Sequence, residues 1–75
     1  MKPKDEQVFF KEIGERLARA RKSQGYTQEK MADLTGLDRV AIGYIEQGRR
    51  RPTVTTIYKI SKALGIKLEQ IFRGY

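Results

Sequence analysis

Apolar side chains recur at intervals of three and four along most of this chain, and caps and glycines cut the pattern into short pieces. Phe10, Ile13, Leu17 and Ala20 keep that spacing, which predicts an amphipathic helix from about Phe9 to Gln24 with Lys, Arg and Glu on its outer face. Gly25 stops it. Thr27 suits an N-cap, Gln28 and Glu29 suit a first turn, and Met31, Ala32 and Leu34 offer a short apolar face before Gly36, which is placed for a left-handed C-cap. A third short helix starts behind Asp38, turns Ala41, Ile42 and Ile45 inward and ends at Gly48. Thr53 caps a fourth, with Ile57, Ile60 and Leu64 facing in as far as Gly65. Leu68, Ile71 and Phe72 predict a fifth, although Lys67 stands where Ser, Thr or Asp would cap it better. No stretch alternates with period two, so no strand is expected. The expected fold is all-α, a compact bundle of five short helices, with residues 1–7 as a flexible N-terminal tail and 8–75 as a single domain.

Composition narrows what such a bundle can do. The 75 residues include no Cys and no His, which removes disulfides, Cys/His zinc sites, thiol nucleophiles and the commonest general base. No Gly-rich phosphate loop, metal motif or inward-facing carboxylate pair stands in for them. A chain of this size forms one thin core and hardly an enclosed pocket. We therefore expect a binding protein, not an enzyme, with no cofactor and no metal. The N-terminus lacks the apolar run of a signal peptide and no segment approaches a membrane span, so a cytoplasmic location is expected.

Charge adds the class of partner. The net charge is +7 and it is unevenly spread: residues 1–25 sum to +3, residues 26–48 to −2 and residues 49–75 to +6. Arg49, Arg50 and Arg51 form a compact basic node just behind the third predicted helix. Such an excess attracts nucleic acid or anionic lipid. A membrane-surface helix would set its basic residues along one face with apolar residues opposite, and no segment reads that way.

From Gln28 to Gln47 the chain reads QEKMADLTGLDRVAIGYIEQ. Two short helices must cross steeply here: Ala32 is small at the crossing, Gly36 permits the turn, and Ile42 and Ile45 anchor the second helix. This segment resembles the helix-turn-helix of the phage-repressor and Cro-like family, also called the xenobiotic-response-element family. The likeness continues through RKSQGYTQEKMA, IEQGRRRPT and TIYKISKALGIKLEQIF, covering roughly Ile13 to Phe72. Within the family, LDRVAIGYIEQGRRRPT leans toward restriction-modification controller proteins. The resemblance implies a lambda-repressor-like DNA-binding domain whose second motif helix lies in the major groove of double-stranded DNA.

With Ile42 and Ile45 inward, helical phase sets Arg39, Val40, Gly43 and Tyr44 outward as candidate base contacts. Arg39 is the strongest, since a guanidinium can grip guanine O6 and N7 together. Val40 suits a thymine methyl, Gly43 close backbone approach, and Tyr44 a base or a phosphate. By the resemblance, Thr27, Gln28, Arg49, Arg50 and Arg51 contact the DNA backbone, and one arginine could enter a narrow minor groove. Arg21 and Glu46 match positions that pair in the family, and an acidic group near DNA needs such a neutralising partner.

The function this implies is a sequence-specific transcription regulator acting as a homodimer on a two-fold-related operator, because one module buries little DNA surface. Leu68, Ile71, Phe72 and Tyr75 supply more apolar surface than the last helix needs for itself and are the candidate dimer interface. The competing class is an antitoxin or bridging protein-interaction module on the same fold, which a co-purifying protein partner would reveal.

Overall fold

The computed structural model describes residues 3–75, and among them it contains five α-helices: α1 (Pro3–Ser23), α2 (Gln28–Thr35), α3 (Arg39–Glu46), α4 (Val54–Leu64) and α5 (Leu68–Ile71). Each boundary has a local cause. Thr27 and Thr53 accept from the amides of Lys30 and Thr56, and Asp38 accepts from Val40. Gly36 and Gly65 end α2 and α4 with φ of 74° and 67°, the left-handed conformation that glycine adopts without a steric cost. Lys67 has no acceptor to offer α5. The helix is held instead by half of a capping box, in which the Gln70 carboxamide oxygen accepts from the Lys67 amide at 2.8 Å.

All five helices feed one core. It consists of Ile13 and Leu17 from α1, Met31 from α2, Ile42 and Ile45 from α3, Ile57, Ile60 and Leu64 from α4, and Ile71 from α5. α1 lies along α3 so closely that backbone replaces side chain between them. A Cβ on Gly14 would lie 2.7 Å from the Glu46 carbonyl oxygen and nearer still to that of Ile45. Gly48, at φ 73°, has the Lys11 Cα 2.6 Å from where its own Cβ would be. These two glycines set the distance between the long helix and the C-terminal end of α3.

Three expectations are corrected. The tail expected over residues 1–7 is helical from Pro3 onward, while Met1 and Lys2 lie outside the described residues. Proline is tolerated in a first turn, Asp5 and Glu6 oppose the helix dipole there, and Glu6 pairs with Arg51 at 3.0 Å. Leu34, expected on the inner face of α2, is 45% exposed. The residue one turn beyond Met31 is Thr35, which occupies that face and donates to the Met31 carbonyl. Ile71, named for the dimer interface, is 1% exposed and belongs to the core of its own chain.

Candidate nucleic-acid interface

α2 and α3 make the helix-turn-helix, and a polar network joins their ends to α1. Arg21 of α1 donates from Nε and Nη2 to the two carboxylate oxygens of Glu46 at 2.7 and 3.0 Å, and from Nη1 to the Tyr26 carbonyl at 2.7 Å. Both side chains of the pair are 10% exposed. The Gln28 carboxamide nitrogen adds a third donor to Glu46 at 3.1 Å. One carboxylate is thus fully neutralised and fixes α1, α2 and the end of α3 together, through hydrogen bonds made stronger by charge and burial.

The network changes what two candidate residues offer. Gln28 turns inward: its amide nitrogen is held by Glu46 and its carboxamide lies over Gly43, whose Cβ position is 3.5 Å from Gln28 Oε1. What faces outward here is the open N-terminus of α2, where the amides of Gln28 and Glu29 precede the first intrahelical bonds. Gly43 is buried beneath Gln28. The expectation that it would offer its backbone to DNA is corrected, because its helical phase points toward α2 and not into solvent.

Arg39 and Val40 are exposed at the N-terminus of α3, Val40 by 46%. Arg39 lines a shallow concavity with Thr27, Gln28 and Glu29, so the first turns of α2 and α3 present one continuous surface. Val40 and Tyr44 are four residues apart, and Gln47, three further on and exposed, continues their stripe. Gln47 went unremarked in the sequence as a surface group, although the same spacing arithmetic points to it.

The arginine node divides. Arg49 and Arg50 direct their guanidinium carbons to 4.9 and 5.4 Å from the centre of the Tyr44 ring. Arg51 turns to α1 instead, toward Glu6 and the Phe10 ring, 5.8 Å from its centroid. Among the described residues the ion pairs are Arg21–Glu46 and Arg51–Glu6, which leaves Arg39, Arg49 and Arg50 without a carboxylate. Within the same bounds, no cluster of acidic side chains could hold a metal ion, and no helix is long and apolar enough to cross a membrane.

The last candidate cluster is built on α5 and the C-terminus, packed against the first half of α1. Leu68 is 36% and Tyr75 60% exposed, while Phe72 is half-buried and stacks on Phe9 with ring centroids 6.3 Å apart. Tyr75 meets Phe9 edge-on and its hydroxyl donates to Glu12.

Comparison with known proteins agrees with this arrangement. The helix-turn-helix family HTH_3 matches residues 17–71. Among curated relatives, the SPbeta prophage-derived uncharacterized HTH-type transcriptional regulator YonR of Bacillus subtilis is 39% identical over 62 residues, 83% of this chain and 57% of its own length. The chain therefore spans little more than half of that relative. Among solved structures, the restriction-modification controller protein C.AhdI from Aeromonas hydrophila superposes with a TM-score of 0.82 at 36% identity, covering 84% of this chain and 96% of that one. An HTH_3 family transcriptional regulator from Vibrio cholerae gives 0.84 at 33% identity over 89% of this chain and 38% of its own. With the family match spanning the helix-turn-helix and the helices around it, this chain belongs to the HTH_3 helix-turn-helix family, the phage-repressor and Cro-like class.

Proposed function

We propose that the chain is a sequence-specific, double-stranded-DNA-binding transcription regulator that acts in the cytoplasm as a homodimer on a two-fold-related operator. The observation that carries this reading is the surface made by the first turns of α2 and α3. There exposed Arg39 and Val40 adjoin the open amides of α2, and Arg49 and Arg50 flank the far end of α3 without carboxylate partners. A helix presented this way suits the major groove. Its first side chains, Arg39 above all, read base edges, and the flanking amides and guanidiniums hold phosphates.

The restriction-modification controller protein C.AhdI, matched over 96% of its length, supports the narrower reading of a controller-type regulator. Two copies are needed because one short helix buries too little DNA for tight, selective binding. Exposed Leu68 and Tyr75, with half-buried Phe72 beside them, form the surface on which the copies would meet.

Sedimentation of the free protein and of its complex with a symmetric duplex tests this part of the reading. The expected result is two chains per duplex and a weakened dimer in Leu68→Glu and Tyr75→Glu. A protein that stays monomeric at tens of micromolar, with and without DNA, would rule the homodimer out.

A further inference from the structure

We propose that Tyr44 is a positioning residue: its ring holds Arg49 and Arg50 as a preset clamp for the DNA phosphate backbone, while Arg51 is a brace between α1 and the loop. The proposal rests on the DNA-binding reading above and assigns Tyr44 a task other than base contact.

The observations are geometric. Tyr44 sits in the last turn of α3, half-buried, with two guanidinium carbons 4.9 and 5.4 Å from its ring centre. Backbone geometry brings them there. Gly48 turns left-handed at φ 73°, and the Arg49 amide donates to the Tyr44 carbonyl at 2.9 Å, folding the loop back over the helix end. Two like charges on adjacent residues repel and would splay apart in solvent. The negative face of one aromatic ring attracts both, and it takes up little of their hydrogen-bonding capacity because the guanidinium N–H groups stay at the edges.

Arg51 differs on every count. It has a carboxylate partner in Glu6 at 3.0 Å and a second ring in Phe10, both on α1. A guanidinium already paired with a carboxylate must give up that partner before it can serve a phosphate. Arg49 and Arg50 have no such competitor among the described residues. A ring occupied by two cations is also poorly free to read a base edge, which separates Tyr44 from Arg39 and Val40 on the same helix.

The test uses the full chain and a duplex selected by the wild-type protein. Exposed cation–ring contacts correspond to roughly two- to fivefold in an equilibrium constant. Tyr44→Leu should therefore weaken binding by about that factor on selected and scrambled duplexes alike, leaving the selected consensus unchanged. Tyr44→Phe, which keeps the ring and loses only the hydroxyl, should bind as the wild type does. Arg49→Gln and Arg50→Gln should each lower the steepness of the log-log salt dependence by about 0.9, the value of one phosphate contact, and Arg51→Gln should leave it unchanged. In the free protein, the ring-current shifts of the Arg49 and Arg50 side-chain protons should persist in Tyr44→Phe and vanish in Tyr44→Leu.

A consensus that loses discrimination at one base pair in Tyr44→Phe or Tyr44→Leu would overturn the proposal in favour of base reading. So would an Arg51→Gln variant that loses a full phosphate contact. If the wild-type protein enriches no sequence, the regulator reading itself fails. The ring-current result still decides whether the clamp exists.

Discussion

Gly14 and Glu46 both fix the position of α3, the first by lacking a side chain and the second through the groups its carboxylate binds. At Gly14 the neighbours are carbonyl oxygens of α3, which cannot rotate away as a side chain would. Gly14→Ala forces α1 and α3 apart, and overpacking of this kind costs about 1–3 kcal/mol. With roughly 4–8 °C in Tm for each kcal/mol in a domain of this size, thermal unfolding should move down by about 5–20 °C. Gly43→Ala is the control: its Cβ would make ordinary contact with Gln28, and the better helix propensity of alanine should hold the melting temperature or raise it by a few degrees.

Glu46→Ala removes the acceptor for Arg21, which is only 8% exposed, and leaves a buried guanidinium with the Tyr26 carbonyl alone. Breaking a buried pair from one side costs about 3–5 kcal/mol, and the partial exposure of this one favours the lower end. Chemical denaturation should show a loss of about that size. An unchanged midpoint would mean that the network does not hold the helices together. Of these two positions, the ion pair was legible from the sequence through its likeness to known relatives. The close approach at Gly14 was not, because a glycine inside a helical pattern does not name the backbone it meets.

Among the helices, the three central ones follow most directly from local chemistry. Thr27, Asp38 and Thr53 cap as their side chains dictate, and the left-handed Gly36 and Gly65 end their helices where the apolar spacing stops. The ends of the chain depend on tertiary contacts that no local pattern encodes. α1 runs on to Pro3 because Glu6 meets Arg51 and Phe9 meets Phe72 and Tyr75, partners that are 45, 63 and 66 residues away in sequence. The short α5 likewise lacks an N-cap side chain, with only Gln70 reaching back to the Lys67 amide. Arg16 of α1 reaches across to donate to the carbonyls of Ile71 and Arg73 at 2.8 and 2.7 Å, satisfying the C-terminal end of α5.

Ile71 illustrates the same limit. Its spacing with Leu68 and Phe72 does not say which of the three enters the core, and packing against α1 decides it. Hydrogen bonds from a charged donor are worth about 1.5–3 kcal/mol, so Arg16→Ala should cost at least the lower value. Native-state hydrogen exchange should locate the loss at the amides of Gln70 and Phe72, which bond within α5. Uniform loss of protection across α1 to α4 would show instead that Arg16 supports the whole bundle.

At the scale of the molecule, charge and shape separate the surfaces. Arg39, Arg49 and Arg50 have no carboxylate partner among the described residues, while Leu68 and Tyr75 expose apolar surface where α5 and the C-terminus pack on α1. The account thus expects DNA on the face of Arg39, Arg49 and Arg50, and a second copy on the surface of Leu68 and Tyr75, placed so that both α3 helices can meet one duplex. It also predicts binding that weakens steeply with salt, with a log-log slope of about −0.9 for each phosphate neutralised. Titration of one duplex across several salt concentrations measures that slope, and a value near zero would remove the electrostatic half of the reading.

The central claim is that α3 reads bases through Arg39. The most direct measurement is selection from a random duplex library at near-physiological salt, run in parallel with wild-type protein and Arg39→Ala. The account predicts a palindromic consensus for the wild type, and loss of discrimination at one symmetric pair of positions in the variant, by about 1–3 kcal/mol per contact. An identical consensus from both proteins, or no enrichment by the wild type, would contradict it.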